Sequence, residues 1–183
     1  MKKQRQHHSL DGQRFSHLLA RCGSVRDALL LRILFETGCG VAELASLRVR
    51  DLSPGSDASH SPTISFSDPA RASVISPSLS SAFNDFLVTQ ERRPSEFAFS
   101  QQPQKPFSVK RIEQVIAQLD KALTPQDIRY LHISHAASRG LTPDAIAAQT
   151  GLGRQRVLQI LDDSGVAYSQ SYSMFFENLG GNP

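Results

Sequence analysis

Near its C-terminal end the chain reads TPDAIAAQTGLGRQRVLQIL, from Thr142 to Leu161. Ala147, Gly151, Leu152, Val157 and Ile160 fall where a helix-turn-helix needs a small residue, a turn glycine and three apolar anchors. Alanine lets two helices approach closely, and glycine permits the turn. Arg154, Gln155, Arg156 and Gln159 would then line the outer face of the second helix, where such side chains suit phosphate contacts and base edges in a major groove. The same spacing also fits a helical hairpin with a solvated polar face. Cys22 and Cys39 are the only cysteines and lack metal-ligand spacing, so they read as buried or idle thiols, and no metal or other cofactor is expected.

At 183 residues the chain can form one full domain with a sizeable core. Hydrophobic residues make up 39% and charged residues 20%, ordinary for a soluble globular protein. No apolar run approaches the roughly 20 residues that a membrane span needs, and no apolar segment follows the basic start MKKQRQHH. A cytoplasmic protein with no membrane partner is the expectation. The net charge of +3 permits an acidic partner such as DNA without demanding one.

These residues need elements to position them. The sequence predicts a basic tail over 1–10, then a helix over Asp11 to Arg21. Ser24 caps a second helix, with Asp27 as its capping-box partner. Val25, Ala28, Leu29, Leu31, Ile33, Leu34 and Phe35 cover more than one stripe of that helix, which places it centrally in the core. Gly38 and Gly40 end it, and a short helix over Val41 to Leu47 follows. TISFS and RASVIS flank Asp-Pro-Ala as a small hairpin. Pro77 starts a helix to about Gln90, EFAFS reads as a short strand or extended segment, and Ser108 caps another helix. Thr124 and Thr142, each followed by proline, start two more. A last helix begins after Gly151 or Gly153. Tyr168, Tyr172, Met174, Phe175 and Phe176 form an apolar tail expected to dock on the domain or on a neighbouring subunit. The fold class is mainly α with a small antiparallel β-hairpin or sheet.

The stretch RDALLLRILFETGCGVAELASLRVRDL resembles the first signature of tyrosine recombinases and phage integrases. There a long apolar helix leads into Thr-Gly-Leu-Arg-Ile-Ser-Glu-Leu, then Leu-Arg and an acid. Thr37, Gly38, Val41, Glu43, Leu44, Leu47, Arg48 and Asp51 fit. TPQDIRYLHISHAASRG matches the second signature, with Thr124, Pro125, Asp127, Arg129, His135 and Gly140 in position. EFAFSQQPQKPFSVKRIEQVI and PDAIAAQTGLG are similar to the family's segments after the hairpin and before its Leu-Gly-His. The resemblance covers about residues 10 to 163 and implies the recombinase catalytic-domain fold. The family's separate N-terminal DNA-clamping domain is expected to be missing, because too few residues precede Asp11.

In that family two arginines hold the scissile phosphate, a hairpin lysine and a histidine assist proton transfer, and a tyrosine attacks phosphorus. Cations are needed because charge grows on the phosphate in the transition state. The first arginine's position holds Gly40 here. No lysine matches the hairpin lysine, and Arg71 is the nearest cation. Gln126 stands for the second signature's histidine, while Arg129 keeps its arginine. Without a gap, the Leu-Gly-His histidine falls on Leu152 and the tyrosine on Leu161. With a two-residue gap they fall on Arg154 and Asp163. Tyr168 and Tyr172 lie several residues late. His132 and His135 read as packed or capping histidines.

Three readings follow from these departures. The first is a catalytically inactive, recombinase-like protein that binds double-stranded DNA through Arg71, Arg129, Arg154, Gln155, Arg156 and Gln159. It would be regulatory, or accessory to recombination or integration, and nucleoid-associated when DNA-bound. The second is an active recombinase with a rearranged site using Arg129, His135 and Tyr168 or Tyr172. The third is a protein-interaction module without DNA binding. The expected organisation is a tail over 1–10, the recombinase-like fold over 11–165, and a C-terminal segment, 166–183, that docks in cis or in trans, on itself or on an active recombinase.

Overall fold

The computed structural model describes residues 11–55 and 60–168. The basic start and Tyr172, Met174, Phe175 and Phe176 lie outside them. In order along the chain come α1 (Gly12–Ala20), α2 (Val25–Thr37), α3 (Val41–Ser46), a 3-10 turn (Val49–Asp51), β1 (Leu52–Ser53), β2 (Thr63–Ser67) and β3 (Ala70–Val74). Then follow α4 (Pro77–Thr89), α5 (Val109–Leu119), α6 (Pro125–Ser138), α7 (Pro143–Thr150) and α8 (Arg154–Ser164). The mainly helical class with one small antiparallel sheet is therefore the observed one.

α2 is the central helix, touching α1, α3, α4, α5, α6 and β3. It buries Leu29, Leu30, Leu31, Ile33 and Leu34, which is why its apolar residues are not confined to one stripe. Val25 does not join them. It sits in the first turn and is 64% exposed, whereas Leu30, left out of the sequence-based set, is fully buried. Ser24 caps the helix by accepting the Asp27 N–H at 3.1 Å. The expected reciprocal arm is not formed: the Asp27 carboxylate lies 3.3 Å from Arg26 Nε instead.

The sheet has the order β1-β2-β3, antiparallel throughout. The hairpin pairs Phe66 with Arg71 and Ser67 with Ala70, so Asp68-Pro69 makes the turn. β1 is too short to show alternation and was not foreseen. EFAFS forms no strand. Phe97 makes an isolated bridge to Arg48, and Phe97, Ala98, Phe99 and Ser100 are buried in succession rather than alternately. The segment is pinned along α3's exit, with the Ala98 N–H donating to Leu47 O at 2.8 Å.

Two apolar clusters result. The larger gathers α1 to α5 and the sheet. The smaller joins Ile133, Ala136 and Ala137 of α6 to Ile146 of α7 and Val157, Ile160 and Leu161 of α8. α6 contributes to both, through Ile128 and Ile133, so the polar groups on it sit where the two clusters meet.

Candidate functional site

The site begins at the end of α2. Gly38 caps that helix in the left-handed region, with φ +62°. A Cβ there would stand 2.5 Å from His132 Cδ2 and 2.7 Å from Thr150 Cγ2, so only glycine lets α6 and α7 come this close. Gly40 has extended backbone, φ −77°, and starts α3 as its N-cap. Having no side chain, it caps nothing. The Glu43 carboxylate reaches back instead, and Oε2 accepts the Gly40 N–H at 2.6 Å. A Cβ at position 40 would lie 3.3 Å from Glu43 Oε2 and 3.9 Å from Arg129 Nη1. The position that lacks a cation therefore faces Arg129.

Arg71 arrives from β3. Its Nη1 pairs with Glu43 Oε1, and its Nε donates to Gln149 O at 2.9 Å. The guanidinium also lies over the Phe66 ring, 4.3 Å from its centre. Only 7% of the Arg71 side chain is exposed, against 17% for Glu43. Arg129, from α6, donates through Nη2 to Thr150 O at 2.6 Å. Its partner is thus a helix-end carbonyl, while the nearby Glu43 carboxylate is bonded to Arg71. Burial pushes the Arg129 guanidinium's pKa down, and the negative charge of Glu43 partly offsets this. The nitrogens Arg71 Nη2 and Arg129 Nε are buried with no hydrogen-bond partner.

His132 is buried below this cluster, and its Nδ1–H donates to Phe35 O at 2.6 Å. Its Nε2 has no partner. Burial lowers its pKa from 6.5 to about 4, against the opposing effect of the Phe35 bond. His135, one turn on, is exposed and lies against the Phe35 ring, 5.7 Å between centres. The two histidines thus differ: His132 packs, while His135 is open to solvent. The lowered pKa has a consequence for stability. Below pH 6.5 the unfolded chain takes up a proton that the folded protein refuses until about pH 4, so stability falls as pH drops through that window. The gap between the two values corresponds to roughly 3 kcal/mol. The urea midpoint should fall less between pH 7 and pH 4.5 in His132→Gln than in the parent. An unchanged pH dependence in that variant would contradict a buried neutral imidazole.

The other sequence-predicted residues lie apart from this cluster. Arg154 opens α8 and pairs with Asp144 of α7, Nε to Oδ1 at 3.0 Å, with both side chains about half exposed (49% and 56%). Such a pair is worth at most about 1 kcal/mol, so Arg154 is readily redirected. Arg156 turns to α6 instead, donating to the Tyr130 hydroxyl at 2.6 Å and to Gln159 Oε1 at 2.6 Å. Gln126 donates to the same hydroxyl. Gln155 and Gln159 are exposed, whereas Val157 and Ile160 are buried, as a two-helix hairpin requires. Leu161 is buried and Asp163 exposed, and neither position that the family match assigned to a tyrosine carries a phenol. Tyr168 follows α8. Its hydroxyl donates to Asp162 Oδ1 at 3.2 Å, and desolvation together with that bond raises its pKa, opposite to what an activated phenol needs. Tyr172 lies outside the described residues. Sequence reasoning missed Gln149, Thr150 and Tyr130 as partners. Two of them act through main-chain oxygens, which residue type does not reveal.

Burial holds the Cys39 thiol up to about 12, and Cys22 is raised too, so neither is a ready thiolate. Among the described residues no group of three His, Cys, Asp or Glu could hold a metal ion, and no helix is long and apolar enough to cross a membrane.

No protein-family model matches the chain, and no curated protein matches its sequence. Solved structures do match in shape. The crystal structure of XerA recombinase superposes with TM-score 0.68 at 19% identity, over 95% of this chain and 64% of that one. XerH site-specific recombinase bound to its difH substrate, in a pre-cleavage complex, gives TM-score 0.68 at 14% identity, over 85% and 51%. A lambda integrase dimer bound to a COC′ core site gives 0.63 at 12%, over 90% and 50%. The chain therefore has the catalytic-domain fold of the tyrosine recombinases and integrases. It spans about half to two thirds of the chains it matches.

Proposed function

We propose that this protein binds double-stranded DNA with a recombinase fold but does not cleave it, and that it regulates or assists recombination or integration. The observation that carries this reading is the arrangement around Gly40. Gly40 places no guanidinium opposite Arg129, and Arg71, the other buried arginine of the cluster, is already paired with Glu43. A phosphoryl-transfer site needs cations free to meet charge as it builds on the phosphate, and a nucleophile in line with it. Removing one such group typically costs orders of magnitude in rate. DNA contact then rests on Arg129 and on the exposed groups Arg154, Gln155, Arg156 and Gln159, with Arg71 behind them. Residues 11–165 form the DNA-binding unit, and the segment 166–183 docks in cis on it or in trans on a second copy or an active recombinase. Such a protein would act on the nucleoid.

The test uses one duplex, nicked so that any covalent protein–DNA link is trapped. The expected result is binding with no adduct, and an affinity that falls steeply with salt. Arg129→Ala and Arg154→Ala should each weaken binding to all sequences and flatten the logarithmic salt slope by about 0.9 per lost phosphate contact. An adduct that disappears in Tyr168→Phe or Tyr172→Phe would overturn the non-cleaving reading. Wild-type affinity and slope in both arginine variants would overturn the DNA-contact assignment.

A further inference from the structure

The last carbonyls of a helix have no partner within it and sit at the negative end of its dipole. At the end of α7 they are taken up by groups from elsewhere in the chain. Gln149 O accepts from Arg71 Nε at 2.9 Å and from Ser73 Oγ at 2.8 Å, both on β3. Thr150 O accepts from Arg129 Nη2 at 2.6 Å. Gly151, at φ +70°, then turns the chain across the Arg71 guanidinium. Its backbone is so close that a Cβ would stand 2.9 Å from Nη1 and 3.0 Å from both Cζ and Pro69 Cγ. Arg71 Nη2 and Arg129 Nε remain as buried donors without acceptors. Two cations thus hold one helix end, and each keeps an unused donor that solvent does not reach.

We propose that the α7 C-terminus and its Gly151 turn form a lid over Arg71 and Arg129. A phosphate group reaches the unused donors by displacing that lid, so that anion binding loosens α7 from the hairpin. The lid belongs to the smaller apolar cluster, through Ile146, and the hairpin to the larger, through Ile64 and Phe66. The guanidinium–carbonyl bonds are therefore polar ties between residues of the two clusters, beside the contact of Thr150 with Gly38 of α2, and an anion competes for the same guanidiniums. For its natural ligand, a DNA backbone phosphate, the inference rests on the DNA-binding reading; the lid itself does not.

Amide hydrogen exchange on the full chain tests this, with duplex DNA at low salt in one arm and inorganic pyrophosphate in the other. The reporters are the Gly151 N–H, bonded to Ala147 O at 2.9 Å, and the Leu152 N–H, bonded to Thr150 Oγ1 at 3.4 Å. Either ligand should speed their exchange by about fivefold or more while the amides of α2 stay unchanged. Gly151→Ala forces a Cβ against Arg71 and should raise exchange in the free protein, so that ligand adds little further. Ser73→Ala, which removes one tie without adding bulk, should raise it less. Faster exchange with pyrophosphate but no DNA binding would sustain the lid and sink the DNA reading. DNA bound with reporter exchange unchanged or slowed would sink the lid alone. Binding of neither ligand would overturn both.

Discussion

Gly38→Ala should be strongly destabilising, lowering the unfolding free energy by about 2–4 kcal/mol. Two costs combine. Alanine at φ +62° is strained by about 1 kcal/mol. The added methyl also meets His132 Cδ2 at 2.5 Å and Thr150 Cγ2 at 2.7 Å. Neither obstacle is the loose end of a flexible side chain. His132 is 6% exposed and tied to Phe35 O, and Thr150 is fully buried with its hydroxyl on Ile146 O at 2.7 Å. Relief must come from moving α6 or α7 away from α2, which would also disturb Arg129 and its carbonyl. Gly23→Ala is the control, since a Cβ there meets nothing within 4 Å. It should shift the urea midpoint by no more than about 0.5 kcal/mol equivalent. Equal midpoints for the two variants would show that α2, α6 and α7 do not meet as tightly as described.

Helix starts were legible because their signals are local. Ser24, Ser76, Ser108, Thr124 and Thr142 each accept the N–H three residues on, as capping side chains do. The central place of α2 was legible because its apolar residues exceed one stripe. What failed was local pattern read without its tertiary setting. Val25 is as apolar as its neighbours, yet in the first turn it faces solvent and is 64% exposed. EFAFS could have been a short strand or an extended segment, and it is not a strand: Phe97 to Ser100 are buried in succession against α3's exit, with a single bridge in place of a ladder.

The site divides in the same way. Gly40 and Arg129 were found from two sequence signatures lying far apart, and the fold brings them face to face. Arg71 was named as the nearest cation without a definite register. Pairing of Phe66 with Arg71 across the hairpin supplies that register, and long-range contacts to Glu43 and Gln149 fix the side chain. No spacing rule could have given the partners of Arg71 and Arg129, because two of the acceptors are main-chain carbonyls at a helix end. Glu43 was legible as a signature residue but not as the group that neutralises Arg71. That role depends on a contact 28 positions away in the chain.

Glu43→Gln should move stability and DNA affinity in opposite directions. Removing the carboxylate's charge leaves Arg71 without its counter-ion at 7% side-chain exposure, and breaking one side of a buried pair costs about 3–5 kcal/mol. Because Glu43 retains 17% exposure and glutamine can still accept the Gly40 N–H, the lower end of that range is expected. Arg71→Met removes the stranded charge from the other side. It should cost less, since Glu43 can turn towards water and Gln149 O keeps the Ser73 hydroxyl. The double variant should be more stable than the sum of the singles implies, by about 2 kcal/mol in a cycle of urea midpoints. Binding should respond differently. Glu43→Gln raises the charge of the site by one and frees Arg71 Nη1, so DNA should be held more tightly, with a salt slope steeper by about 0.9. Arg71→Met in the Glu43→Gln background should abolish that gain. A global loss of structure would weaken binding, so destabilisation alone cannot mimic a tighter complex. A Glu43→Gln protein with both the parent's midpoint and the parent's salt slope would mean that Glu43 does not hold Arg71 in check, and the non-cleaving reading would lose the pairing on which it rests.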